Sequence, residues 1–175
     1  MKKVTVTFFF ALLAIVGFAQ DAKKDRRIEE DAIDAKAAFL EDDPEMESFF
    51  SSSYGYIILP NVGKGGLGIG GAAGNGVAYQ GGNNIGFAKM TQITIGFQAG
   101  GQAYSEVVFF EDQEAFERFK NSKVEMSAQV SAVAAAEGAS LNAKYIEGVA
   151  VFTLAKGGLM YEASVGGQQF KFREK

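Results

Sequence analysis

Gln92-Ile93-Thr94-Ile95-Gly96-Phe97-Gln98-Ala99-Gly100-Gly101-Gln102-Ala103-Tyr104-Ser105-Glu106-Val107-Val108-Phe109-Phe110 alternates apolar with polar or small residues along its length. Ile93, Ile95, Phe97, Ala99, Ala103, Val107 and Phe109 share one face at a period of two, with Gln92, Thr94, Gln98, Gln102 and Glu106 on the other. This is the pattern of a β-strand with one face turned to a core. At about 3.3 Å per residue the run is too long for one straight strand. Gly100-Gly101 is therefore the expected place of a bulge, a bend or a break.

Upstream, the same β character starts after Tyr54. Tyr56 to Leu59 reads as a strand stopped by Pro60-Asn61. Gly66 to Ala73 and Val77 to Gln80 read as a hairpin around Gly74-Asn75-Gly76, and Gly81-Gly82-Asn83-Asn84 marks the next turn. Downstream the period changes: between Glu111 and Lys120, Phe116 and Phe119 stand three apart among charged residues, as in a short amphipathic helix laid on the sheet. Val124 to Ala136, Ser140 to Tyr145, Val149 to Ala155, Leu159 to Val165 and Gln169 to Phe172 supply further strands, with turns at Lys156-Gly157-Gly158 and Gly166-Gly167.

The N-terminal third is helical. Ile28, Ala32, Ala35 and Phe39 recur at steps of four, three and four, which makes one helical stripe between Asp21 and Leu40. Asp43 is placed to cap a second helix with Pro44 at its first position, running through Met46, Phe49 and Phe50 to Ser51-Ser52-Ser53. Ahead of these, Met1-Lys2-Lys3, an uncharged run from Val4 to Phe18, and small residues Gly17 and Ala19 have the order of a secretory signal peptide cut after Ala19. The apolar run falls short of the roughly 20 residues that span a bilayer. The expected organisation is a signal peptide over 1–19, a helical segment over 20–53 and a β-rich body over 54–175, with 20–175 forming one domain. The expected location is the periplasm or the cell exterior.

Composition narrows the chemistry. The chain has no Cys, no His and no Trp, and a net charge of −4. Disulfides, thiolate metal sites and lipid attachment through Cys are excluded, and the usual nucleophile–base pairs cannot be built. No GxSxG elbow is present. The carboxylate groups Glu106, Glu111, Asp112 and Glu41, Asp42, Asp43 read as acidic turns and helix caps. Gly63-Lys64-Gly65-Gly66-Leu67-Gly68-Ile69-Gly70-Gly71 fits GxGxxG twice, but no helix follows to receive a pyrophosphate, so it reads as a strand with a glycine face. No enzyme, no cofactor and no nucleic-acid partner is expected, since the acidic chain offers no global attraction to polyanions. Lys23, Lys24, Arg26 and Arg27 form a local cationic cluster beside Ile28 and Phe39, the pattern of a membrane-docking helix or of a helix that covers the sheet.

Two stretches carry a family resemblance. Tyr54-Gly55-Tyr56-Ile57-Ile58-Leu59-Pro60-Asn61-Val62 followed by Gly63, Lys64, Gly65, Gly66, Leu67, Gly68, Ile69, Gly70 and Gly71 resembles the opening signature of SYLF domains. Gly96 to Phe110, with Phe97, Gln98, Gly100 and Gln102, is similar to the second. The resemblance implies an exported, non-catalytic phospholipid-binding protein that meets a membrane surface through its N-terminal amphipathic helix. It would place the lipid contact at Lys23, Lys24, Arg26, Arg27, Ile28 and Phe39. Actin binding, described for yeast members, is not carried over to an exported acidic chain. Two other classes fit part of the pattern: a small outer-membrane β-barrel, whose lipid-facing strands alternate in the same way, and a protein-interaction module of the envelope. The fold class expected is α+β, with N-terminal helices packed on a Gly-rich antiparallel β-barrel or highly curved sheet and one inserted helix near 111–120.

Overall fold

The computed structural model describes residues 2–121, 132–156 and 167–175, and the side chains of 21–65, 70–93, 101–121, 133–156 and 167–175. Helix α1 spans Lys2–Asp42, a 3-10 turn spans Pro44–Met46 and α2 spans Glu47–Ser52. Strands β1 (Gly55–Gln80) and β2 (Asn83–Phe110) follow, then α3 (Gln113–Lys120), β3 (Ala132–Ala134), β4 (Val149–Ala155) and β5 (Gln168–Glu174). The architecture is α+β, with N-terminal helices on a curved sheet.

β1 and β2 form one antiparallel hairpin of 26 and 28 residues. Its turn is Gly81-Gly82, both at positive φ (56° and 79°), the backbone that two-residue hairpin loops require. Gly74-Asn75-Gly76 is not a turn: these residues pair in register with Met90, Lys89 and Ala88. Pro60-Asn61 does not end the strand either. It shifts the register between Leu59 and Val62, and the Pro60 carbonyl accepts from Ser105 Oγ at 2.9 Å. The main irregularity in β2 falls at Gly96–Gln98, opposite Gly68, whereas Gly100 and Gly101 pair regularly with Gly66 and Gly65.

The hairpin folds back on itself. A Cβ on Gly76 would collide with the Ile58 carbonyl, and one on Gly74 would lie 3.1 Å from the Asn61 carbonyl oxygen. The Tyr56 and Tyr79 rings, from opposite ends of β1, stack at 4.9 Å. Glycine at 74 and 76 thus allows two stretches of backbone to touch.

On its second edge β2 changes partner. Gly86–Gln92 pairs with β5 and Tyr104–Phe110 with β4, and β3 lies parallel to β4. Among the described strands the sheet is mixed and open, ending at β1 and β3, and is not a closed barrel.

Both faces are covered. Ala32, Ala35 and Phe39 of α1, with Met46 and Phe50, bury one face against Ile58, Val107, Phe109 and Phe152. Burial of Phe39 alone contributes about 3 kcal/mol. On the other face Phe116 and Phe119 of α3 pack with Phe110 and Phe170, and Asp112 caps the helix by accepting from Ala115 N at 2.8 Å. The run Tyr104–Phe110 is therefore buried on both sides. This overturns the expectation that Glu106 lies on a polar face, and it turns Val107 and Phe109 toward helices rather than toward lipid.

Asp43 is buried and caps the 3-10 turn, and its carboxylate also accepts from Gly138 N (3.2 Å) and Ser140 N (2.8 Å). With those amides captured and Gly138 at φ 73°, 140–145 is not the expected strand but includes a 3-10 turn at Ala139–Asn142. Of the strand expected from Val124 to Ala136, Ala132–Ala134 is present and 122–131 lies outside the described residues, as does Leu159 to Val165.

Candidate functional site

The start of the seated part of α1 and the β2–β5 edge enclose a cleft of about 230 Å³. Its positions come from sheet register. Lys89 in β2 stands directly opposite Lys171 in β5, with Asn75 of β1 as its partner on the other side. Two pairs along, Phe87 faces Arg173, whose guanidinium carbon lies 4.7 Å from the centre of the Phe87 ring. Lys24 and Ile28 of α1 complete the wall.

Arg173 also makes a two-pronged bond to Asp25, at 2.8 Å to each carboxylate oxygen. Next to it Glu29 accepts from Lys175 Nζ and from Asn84 Nδ2, each at 2.8 Å. The cleft thus holds four cations (Lys24, Lys89, Lys171, Arg173) against one carboxylate, in a chain whose net charge is −4. Like charges directly opposite on neighbouring strands repel, and an anion between them removes that repulsion. The chemistry offered is electrostatic and hydrogen-bonding recognition of an anion beside the apolar surfaces of Ile28 and Phe87.

A second cleft, of about 380 Å³, lies along α1 near the end of β4. Asn61 bridges it, donating to Asp31 at 3.0 Å and accepting from Lys156 Nζ at 2.7 Å. With Asp34 also present it carries the opposite charge balance.

The expected contact residues separate into two groups. Lys23, Lys24, Arg26 and Arg27 are exposed on α1, and Lys24 lines the basic cleft. Ile28 is half-buried against the sheet, and Phe39 is completely buried in the core. Phe39 is thus no surface contact: the stripe that made α1 amphipathic is used up on β1 and β2.

The family motifs are each other's pairing partners. Gly63 faces Ala103, Lys64 faces Gln102, and Gly65 and Gly66 face Gly101 and Gly100. Gly68, Gly70 and the stretch through Phe97 and Gln98 belong to the same two strands. A side chain on Gly63 would meet nothing within 4 Å, so packing does not demand that glycine. Asn75, Phe87, Lys89, Lys171 and Arg173 escaped the sequence reading, because the opposition of Lys89 and Lys171 exists only once β2 and β5 are paired.

The family model described as "Ysc84: Las17-binding protein actin regulator" matches residues 91–175. The chain is also similar to a protein of Aeromonas veronii named Beta cell expansion factor A, at 30% identity over 129 residues covering 73% of this chain and 49% of the relative. It thus spans about half the length of that curated relative. Residues 91–175 contain most of β2, α3 and the strand that carries Lys171 and Arg173. By this match and by the paired motifs, the chain belongs to the SYLF family.

Proposed function

We propose that this protein is an exported, non-catalytic phospholipid-binding protein that meets an anionic membrane surface through the basic cleft and the exposed cations Lys23, Arg26 and Arg27 of α1. The observation that carries the reading is the Lys89–Lys171 opposition, flanked by Lys24 and Arg173 and bordered by Ile28 and Phe87. Repulsion kept at such a place is accounted for by a phosphate that fills it. Lys23, Arg26 and Arg27 extend the cationic surface along α1.

Contact is by charge rather than by insertion of the helix stripe, since Ala32, Ala35 and Phe39 are buried on the sheet. Among the described residues no helix is long and apolar enough to cross a membrane. Export rests on the leader-like order of residues 1–19. Las17 and actin, named in the family description, are not proposed for this chain.

Co-sedimentation with vesicles of phosphatidylcholine alone, or containing phosphatidylglycerol, cardiolipin or phosphatidic acid, tests the proposal. The protein is expected to bind anionic vesicles and to release them in high salt. Each cation near an anionic surface contributes about 1 kcal/mol, so replacing Lys89 and Lys171 together by alanine should weaken binding by roughly thirtyfold. Failure to bind any composition would reject the membrane reading. Undiminished binding by the double variant would move the contact away from the cleft.

A further inference from the structure

On the α3-facing side of β2, away from the basic cleft, a carboxylic acid is enclosed in the core. Glu106 has 0% of its surface exposed and belongs to the same side of the strand as Tyr104 and Val108. Its register partners are Leu59 in β1 and Thr153 in β4. Oε2 accepts from Gln168 Nε2 at 2.9 Å. Among the described residues Oε1 has no hydrogen-bond partner, and neither do the buried Gln168 Oε1 and Thr153 Oγ1.

Glu106 also occupies the seam at which β2 passes from one partner to the other. Gln168 is the first residue of β5, and Thr153 lies close to the end of β4. The Glu106–Gln168 bond therefore ties the start of β5 to the half of β2 that is paired with β4. Below the seam the pairs Val108–Val151 and Phe110–Val149 are apolar and hold β4 independently.

An ionised carboxylate accepts hydrogen bonds and donates none, and here it would be out of water with a single neutral donor. A protonated Glu106 supplies the missing donor. That O–H can be given to Gln168 Oε1 or to Thr153 Oγ1, so the neutral acid partners one more buried acceptor and avoids holding a charge out of water.

We propose that Glu106 is a proton-controlled latch on the β4–β5 seam: the neutral acid closes it, and ionisation draws water between Thr153 and Gln168 and frees the start of β5. Burial pushes the Glu106 pKa up to about 7, the Gln168 bond lowering it in part, so the latch operates near neutral pH. Among the described residues Glu106 is paired with Leu59 of β1 and Thr153 of β4, bonded to Gln168 of β5 and coupled by charge to Tyr104 of its own strand. Of these Tyr104 alone titrates, and burial, then the charge of Glu106, raises its phenol further above its ordinary range. It stays neutral where the latch works. Because β5 also carries Lys171 and Arg173, an open seam unseats half of the basic cleft. That consequence depends on the cleft being the binding site; the latch does not.

Hydrogen exchange of the full chain, corrected for intrinsic chemical rates, tests this at residues 151–155 and 168–172. Between about pH 5.5 and about pH 8.5, protection of 168–172 is expected to fall by more than about tenfold relative to 55–59, and to stay level in Glu106→Gln. The same pH dependence in both proteins, or none in the wild type, would overturn the proposal. A carbon-13 titration of the glutamate carboxyls in the wild-type protein decides the matter even if Glu106→Gln fails to fold. A Glu106 resonance titrating near neutrality supports the latch, and one titrating in the ordinary range around 4 to 5 defeats it.

Discussion

The two faces of the sheet handle charge in opposite ways. Under α3 an acid is taken wholly out of water and given one hydrogen bond. Under α1 the burial is graded: Ala32, Ala35, Phe39 and Met46 seat one end of the helix in an aromatic core. Earlier in the helix, residues 25–29 are held by Ile28 and by exposed pairs, Asp25 with Arg173 and Glu29 with Lys175. On the first face desolvation dominates, so protonation decides the state of the group. On the second, solvent and salt screen each pair to no more than about 1 kcal/mol, so partners can be exchanged at little cost. On the proposed reading, an anionic ligand would find Arg173 held in a carboxylate geometry that a phosphate can reproduce.

The sharpest way to break this contrast is at the apolar end of α1. Phe39→Ala leaves a cavity among Phe50, Phe109 and their neighbours and should cost about 3 to 5 kcal/mol in urea unfolding. A loss below about 1 kcal/mol would mean that the helix is not seated there.

The acid face should show itself in pH dependence. The pKa of Glu106 is raised from 4.5 to about 7 in the folded chain. Its contribution is most favourable below about pH 4.5 and is lost as pH rises through about 7, by about 3 kcal/mol in all. Denaturant midpoints for wild type and Glu106→Gln should diverge over that window, with the variant the more stable at alkaline pH.

Asp43→Ala is expected to cost about 2 kcal/mol, since it removes a cap and strands the buried amide of Ser140. Increased exchange at 138–142 would place the loss there. The smallest effect on stability, below about 1 kcal/mol, belongs to Asp25→Ala at the exposed end. The same change frees Arg173 and should tighten binding to anionic vesicles a few-fold; weaker binding would show that Asp25 orients the site rather than competing for it.

Elements whose signal is local could be read before any coordinates. The α1 stripe, the Asp43-Pro44 cap, α3 with Phe116 and Phe119, the strand Val149–Ala155 and the turn at Gly81-Gly82 all follow from helical or alternating periodicity and from the backbone needs of Asp, Pro and Gly. Gly74-Asn75-Gly76 misled because two glycines flanking Asn suit a turn as well as a close backbone crossing. The choice between them depended on Ile58 and Asn61, which lie far away along the chain.

The sequence by itself determined that this chain is an α+β domain without Cys or His and with a cationic run at 23–27 ahead of the apolar stripe of its first long helix, because composition and short-range periodicity act within a few residues. Only the tertiary structure decided where charge gathers and where it is hidden. Lys89 met Lys171, and Glu106 met Gln168, through strand pairing and packing between distant segments. Pairing register and two-sided burial are properties of contacts rather than of neighbouring residues, which is why packing alone decided that Phe39, readable as lipid contact or as cover for the sheet, is core, and that Glu106 is buried rather than on a polar face.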